Sequence, residues 1–308
     1  MSASTTLEGR TAVVTGAGAG LGRSEALALA GRGADVVVND VDRTAHDVVA
    51  EIEALGRRAV AVTGDAGDWS TGERLVRTAV EAFGGLDIVV NNAGVLRDRM
   101  LFNLTESDWD DVIRVHLKGH AALSRAAAAY WRAASKAAGG PVYGRVVNTS
   151  SEAFLFGSPG QPNYSAAKAG ITALTLSTAQ GLSRYGVRAN AICPRARTGM
   201  TAGVFGEAAA RSEGGLDVLA PERVATFVSY LASPAADGIN GQVFVVYGDM
   251  VALLAPATVE RKFTAAGGVF SVEELDAQLT PYFSGRGPYE TFAAHGVARL
   301  DATGAPQG

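Results

Sequence analysis

The sequence predicts an α/β chain built on one doubly wound parallel sheet of seven strands, with helices on both faces and a C-terminal extension. Three observations predict it. Short β-branched runs alternate with longer alanine- and leucine-rich segments, the order produced by parallel strands joined through crossover helices. The runs are apolar at nearly every position, as strands covered on both faces are. The first run leads into a glycine-rich loop that opens a helical segment. With 308 residues, 47% hydrophobic and 19% charged, the chain has ample apolar material to bury a core.

The first strand is TAVVT (11–15), and a helix follows around 21–31. DVVV (35–38) and AVAVT (59–63) are the next two strands, each followed by a helical segment, around 43–55 and 71–83. DIVVN (87–91) precedes the longest helical segment, 107–135, and RVVNT (145–149) precedes a helix over 163–184. VRANAI (187–192), a helix over 221–232 and QVFVV (242–246) complete the sheet. Every crossover is long enough to return the chain to the same edge direction, as parallel pairing requires. Residues 198–220 are rich in Gly and Ala with scattered apolar residues, which suits a mobile flap. Residues 1–254 are read as the sheet-bearing domain and 255–308 as the extension, partly helical with a loose tail. Within the extension, SVEELDAQL (271–279) carries Ser271 and Glu274 at capping-box spacing, and the last dozen residues are expected to be loose.

A net charge of −4 gives no reason to expect a nucleic-acid partner, since phosphate binding needs a clustered positive surface. Cys193 is the single cysteine and reads as a buried strand residue, which fits a reducing compartment. MSASTTLEGR lacks a signal-peptide pattern, and no run approaches the length of a membrane span. The expectation is a cytoplasmic protein that does not bind membranes. His46, His120 and His295 form no spaced ligand set, so no metal is expected.

TGAGAGLG places Gly16, Gly18, Gly20 and Gly22 between the first strand and its helix, where backbone N–H groups can approach a diphosphate. Asp40 stands 18 residues past Gly22 (40 − 22), at the end of the second strand. A carboxylate there accepts from both ribose hydroxyls and repels a 2′-phosphate, and the loop between Gly16 and Gly20 has no Arg or Lys to attract one. NAD is therefore expected over NADP, with Arg43 nearby as the opposing feature. Asp65, after the third strand, is placed either to meet the adenine edge or to cap a helix.

NYSAAKAG (163–170) sets Tyr164 and Lys168 one turn apart on one helix face, and Ser151 lies 13 residues before Tyr164 (164 − 151). With TGAGAGLG, NNAG (91–94) and Tyr164-x-x-x-Lys168 in this order, roughly residues 7–250 resemble the short-chain dehydrogenase/reductase family, whose sheet is Rossmann-type. The resemblance implies Tyr164 as the acid/base, Ser151 as a hydrogen-bond donor to the reacting oxygen, and Lys168 as holder of the nicotinamide ribose. Ser150 is the competing serine. The cofactor lining it implies includes Leu21, Ala66, Asn92, Ala93 and Gly94. A phenol of ordinary pKa is a poor base at neutral pH, so Tyr164 needs positive neighbours, which Lys168 and an oxidised nicotinamide would supply. His116 stands where the family often has an asparagine that supports a water chain to the lysine; it either takes over that relay or is a satisfied helix histidine. Where the family often shows a proline-glycine pair and then a threonine touching the carboxamide, this chain has Pro194, Arg195 and Thr198.

VVVND (36–40), NNAGVLRDRM (91–100), VHLKGH (115–120) and the extension resemble a narrower subgroup, the (3R)-hydroxyacyl-CoA dehydrogenase part of peroxisomal multifunctional enzymes of type 2 and their bacterial relatives. That implies a small-molecule substrate, apolar or an acyl-CoA. A steroid or terpenoid alcohol dehydrogenase is the alternative, and a non-catalytic dinucleotide sensor a remote one. Phe154, Leu155, Phe156, Met200, Val204 and Phe205 read as an apolar mouth or as flap packing. Arg97, Arg99, Arg195 and Arg197 are candidates for a coenzyme A phosphate or for plain surface charge. The family implies a homodimer or homotetramer through the long helices, where Ala121, Ala122, Ala126, Ala127, Ala166, Ala167 and Ala173 would permit close contact or simply favour helix.

Overall fold

The computed structural model describes residues 4–201, 217–287 and 290–300. Its strands are β1 (Thr11–Thr15), β2 (Asp35–Asp40), β3 (Ala59–Thr63), β4 (Ile88–Asn91), β5 (Gly144–Thr149), β6 (Val187–Pro194), β7 (Val243–Tyr247) and β8 (Met250–Leu253). The helices are α1 (Gly20–Gly31), α2 (Thr44–Ala54), α3 (Trp69–Phe83), α4 (Glu106–Val112), α5 (Gly119–Ala138), α6 (Ala153–Phe156), α7 (Pro162–Leu182), α8 (Pro221–Leu231) and α9 (Val272–Ser284).

The sheet runs β3-β2-β1-β4-β5-β6-β7-β8, so the strand order reverses beside β1. Val13 of β1 pairs with Val37 of β2 on one side and Val89 of β4 on the other. Beyond the carboxyl ends of these strands lies the crevice that doubly wound sheets use for ligands. Alternation divides the strand residues between two cores: Ala12 and Val14 face the layer that contains α1, α2 and α8 residues, and Val13 faces that of α3 and α5. Fully burying each such valine contributes about 1.5–3 kcal/mol. On the second face α3 and α5 approach closely, because a Cβ on Gly72 would stand 2.7 Å from the Ala122 carbonyl carbon.

Three features differ from the sequence reading. The sheet has eight strands: a two-residue turn at Gly248 and Asp249, with Gly248 at φ +57°, folds β8 back antiparallel onto β7. The alternation of half-buried and exposed residues in β8 is that of an edge strand, too short to read as a strand in MVAL. The helix predicted over 107–135 is interrupted by a π-helical turn at Ile113–Lys118. A short α6 follows Ser151 unannounced. In the extension, the Ser271–Glu274 capping box forms and α9 continues through Pro281. Of the alanines considered for oligomer contact, Ala122, Ala126, Ala127 and Ala167 pack inside this chain's own core. Among the described residues no helix is long and apolar enough to cross a membrane, and no group of three or more potential metal ligands occurs.

One buried carboxyl stands apart from the cleft. Glu25 on α1 is fully buried, neither carboxyl oxygen has a hydrogen-bond partner among the described residues, and burial pushes its pKa up to about 8. A folded-state pKa above the unfolded value of 4.5 means that stability present at low pH is lost as pH rises from about 4.5 towards 8. Urea unfolding of Glu25→Leu against the parent is expected to show a stability difference that grows with pH across this window, by up to about 1.4 kcal/mol per pH unit. A difference independent of pH would contradict the buried, protonated carboxyl.

Candidate active site

The glycine loop is held from behind. Gly16 has φ +61°, and a Cβ on it would meet Ala93 Cα at 2.8 Å; one on Gly22 would meet Gly16 O at 2.2 Å and the Asn92 amide at 2.5 Å. Asn92 donates to the Thr15 and Gly16 carbonyls at 3.1 Å, and Thr15 Oγ1 accepts from the backbone of Asn92 and Ala93. NNAG therefore staples the loop. The N-terminus of α1 carries no side-chain cap and no acid in its first turn, so its free N–H groups suit an anion. Asp40 Oδ2 accepts from Gly18 N at 2.8 Å at the end of β2. Uncapped amides, glycine cradle and carboxylate together fit a dinucleotide.

These elements border a cleft of about 510 Å³ lined by Gly16, Gly20, Leu21, Asp40, Asp65, Ala66, Asn92, Ala93, Gly94, His116, Ser151, Tyr164, Lys168, Pro194 and Thr198. Gly18 and Gly22 support the loop without lining the cleft. Asp65 does not cap α3, whose N-cap is Asp68. Its Oδ1 accepts from Gly67 N at 2.7 Å and its other oxygen pairs with Arg114, which with burial opposing holds its pKa down. Arg114 also lines the cleft and carried no sequence signal, because only the π turn brings it round to Asp65.

At the other end, β5 delivers Ser151 and the first turns of α7 deliver Tyr164 and Lys168. Lys168 is fully buried and donates to Thr149 O at 2.6 Å, and burial brings its pKa down to about 7. Its ammonium lies 5.3 Å from the centre of the Tyr164 ring. Burial pushes the Tyr164 phenol up to about 12, against a hydrogen bond with Ser151 that draws it down. The neighbouring Ser150 turns away: its hydroxyl donates to Lys168 O at 3.0 Å and lies 2.9 Å from Thr172 Oγ1, fastening the strand end to α7. Asn91, Asn148 and Thr175 extend that fastening through bonds of 2.8 Å across β4, β5 and α7.

His116 sits in the π turn, buried and edge-on to Tyr164 at 5.2 Å. Its Nε2 lies 3.0 Å from Val95 N and 2.8 Å from Val95 O; a neutral ring either accepts from the first or donates to the second, according to its tautomer. Burial first, then the Lys168 charge, holds its pKa well below the usual imidazole range, and among the described residues Nδ1 has no hydrogen-bond partner. His120, one turn on, is likewise neutral, brought down to about 3 by burial.

On the substrate side Phe154, Leu155 and Phe156 are half-buried in α6, and Met200 borders the cleft. Val204 and Phe205 lie outside the described residues. Arg97 pairs with Asp111 at 3.2 Å and Arg99 stands 3.8 Å from Asp108, both with exposed side chains. Arg195 is committed to Glu152, and Arg197 to Asp217 at 2.9 Å, so neither offers the free guanidinium a phosphate would need.

A family model described as short chain dehydrogenase matches residues 10–208. Hydroxyacyl-CoA dehydrogenase ChsB1 of Mycobacterium tuberculosis is 58% identical over 302 residues, covering 96% of this chain and 95% of that protein. Peroxisomal multifunctional enzyme type 2 of Mus musculus is 41% identical over 249 residues, 78% of this chain but 32% of the mouse protein, so the likeness reaches about a third of that enzyme. A solved short chain dehydrogenase from Mycobacterium avium superposes with a TM-score of 0.82 at 45% identity, covering 92% of this chain and 97% of that one.

Gly22→Ala tests the cradle. Its Cβ cannot coexist with Gly16 O, and displacing the loop should remove at least one charge-assisted hydrogen bond to phosphate. Titration of reduced cofactor followed by fluorescence should show a dissociation constant raised roughly ten- to hundred-fold.

Proposed function

The chain belongs to the short-chain dehydrogenase family, oxidoreductases that act on CH–OH groups with a nicotinamide dinucleotide, and on that premise we propose that it is an NAD-linked (3R)-3-hydroxyacyl-CoA dehydrogenase. The observation that carries the substrate is the likeness to hydroxyacyl-CoA dehydrogenase ChsB1, which spans nearly the whole of both chains. Asp40, bonded to the loop and facing the cleft, supports NAD over NADP, since a 2′-phosphate there would meet a carboxylate. Residues 1–254 are proposed as the catalytic domain and the chain as a homo-oligomer in the cytoplasm.

Oxidation removes hydride from the carbinol carbon and a proton from its hydroxyl. When bound, the oxidised nicotinamide supplies the hydride acceptor and a positive charge. Ser151 donates a hydrogen bond to the substrate oxygen, and Tyr164 takes its proton, or returns it in reduction. Lys168, buried beside the Tyr164 ring, holds the cofactor ribose and favours the phenolate to the extent that it is itself charged. His116 braces Val95 in the cleft wall and keeps Nδ1 available for a water that passes a proton toward Lys168. Pro194 and Thr198, at the end of β6 and just beyond, border the nicotinamide end of the cleft.

Reduced-nicotinamide formation should be followed with (3R)- and (3S)-3-hydroxyacyl-CoAs and with hydroxysteroids and terpene alcohols, each with NAD and NADP. A (3R) preference, with kcat/KM for NAD above that for NADP by about ten-fold or more, is expected. Turnover of steroid or terpene alcohols alone would replace the substrate while keeping the chemistry. Tyr164→Phe should lower kcat by about 10²–10⁴ while binding NADH nearly as the parent does.

A further inference from the structure

Arg195 stands where the family often has glycine, and its bonds show what that exchange does. Its guanidinium meets the Glu152 carboxylate in a fork, Nε to Oε2 and Nη2 to Oε1, both 2.7 Å. The same group donates from Nη2 to Val297 O and from Nη1 to Leu300 O, both at 2.8 Å. The Glu152 and Arg195 side chains are only 10% and 16% exposed, and the guanidinium also lies over the Tyr247 ring. Glu152 follows Ser151 directly, and Ser151 Oγ accepts from Ala153 N at 3.2 Å. A further bond ties the distant segment to α6, from Ala294 N to Leu155 O at 2.9 Å.

We propose that Arg195 latches residues 294–300 against α6 beside Ser151, so that Arg195 and Glu152 are positioning residues and the latched segment is a specificity-determining wall of the substrate site. A lysine could answer Glu152 but lacks the planar fork that reaches two carbonyls at the same time. The latch explains why a charged side chain sits half-buried next to the nicotinamide end of β6: it satisfies a carboxylate, two carbonyls and an aromatic face together. The segment meets α6 through the Leu155 carbonyl, between the half-buried Phe154 and Phe156, and the Arg195 bonds hold the Val297 and Leu300 backbone near it, so on this proposal the apolar residues of both segments form the wall that an acyl chain follows. This extends the hydroxyacyl-CoA reading and takes the substrate-length arm of its test from it.

Arg195→Met and the double variant Glu152→Gln/Arg195→Met should be compared with the parent in the full-length protein. The double variant removes the stranded carboxylate that the single one leaves behind. In both, hydrogen exchange at the Ala294 amide should accelerate about ten-fold or more as the segment undocks. KM for long (3R)-3-hydroxyacyl-CoAs should rise about ten-fold, well above the change for short ones, with kcat falling less. An Ala294 amide that stays protected in both variants overturns the latch, and so does a loss of activity that is equal for all chain lengths or that the double variant repairs. If the parent turns over no hydroxyacyl-CoA, the function reading fails while the exchange measurement still decides the latch.

Discussion

Lys168 is fully buried, and its ammonium donates to Thr149 O at 2.6 Å. Taking a cation out of water is costly unless its donors are met, and here one carbonyl at the end of β5 meets the first of them. Much of the neighbouring structure serves to keep that carbonyl and that helix in register. Ser150 fastens the strand end to α7, the Asn91–Asn148–Thr175 ladder spans β4, β5 and α7, and Asn163 Oδ1 accepts from Tyr164 N as the helix begins. Burial acts on the neighbours as well: it holds the pKa of His116 and His120 down, with the Lys168 charge acting in the same direction, and it pushes the Tyr164 phenol up.

The two ends of the cleft follow different physical rules. The glycine-loop end of the cleft is built largely of backbone, with uncapped amides of α1 and glycines that leave no room for side chains, and one carboxylate, Asp40, stands beside it. The reacting end is built of side chains whose charges burial has weakened. A site of this kind is incomplete electrostatically until a positive charge arrives beside the phenol. In the proposed reaction, binding and proton transfer are thereby coupled, because a cofactor that fills the first end would alter the acidity at the second.

Much of the fold was legible because period and length are local signals: all seven expected strands form, and their apolar runs match the two-sided burial of the sheet. The motif residues were legible because glycine loops and the Tyr164/Lys168 spacing are short-range as well. What could not be read is long-range or depends on one turn of geometry. The π turn at Ile113–Lys118 leaves no mark in the sequence, yet it brings Arg114 to Asp65 and His116 to Val95. The sequence left Arg195 between a ligand-binding cation and plain surface charge, and it is neither; its partners lie 43 residues before it and 102 and 105 after it, beyond any local pattern. β8 was missed because four residues with half-buried alternation resemble a loop until β7 is beside them.

The central claim is that the protein alone keeps Tyr164 protonated and that a bound positive charge releases its proton. The ultraviolet difference spectrum of phenolate formation, taken as the parent minus Tyr164→Phe across pH, measures this directly with and without NAD. The account predicts no Tyr164 phenolate in the free protein until strongly alkaline pH, in keeping with a pKa near 12, and a transition displaced to lower pH once NAD is bound. A Tyr164 transition near neutral pH in the free protein, or one that NAD does not move, would contradict it.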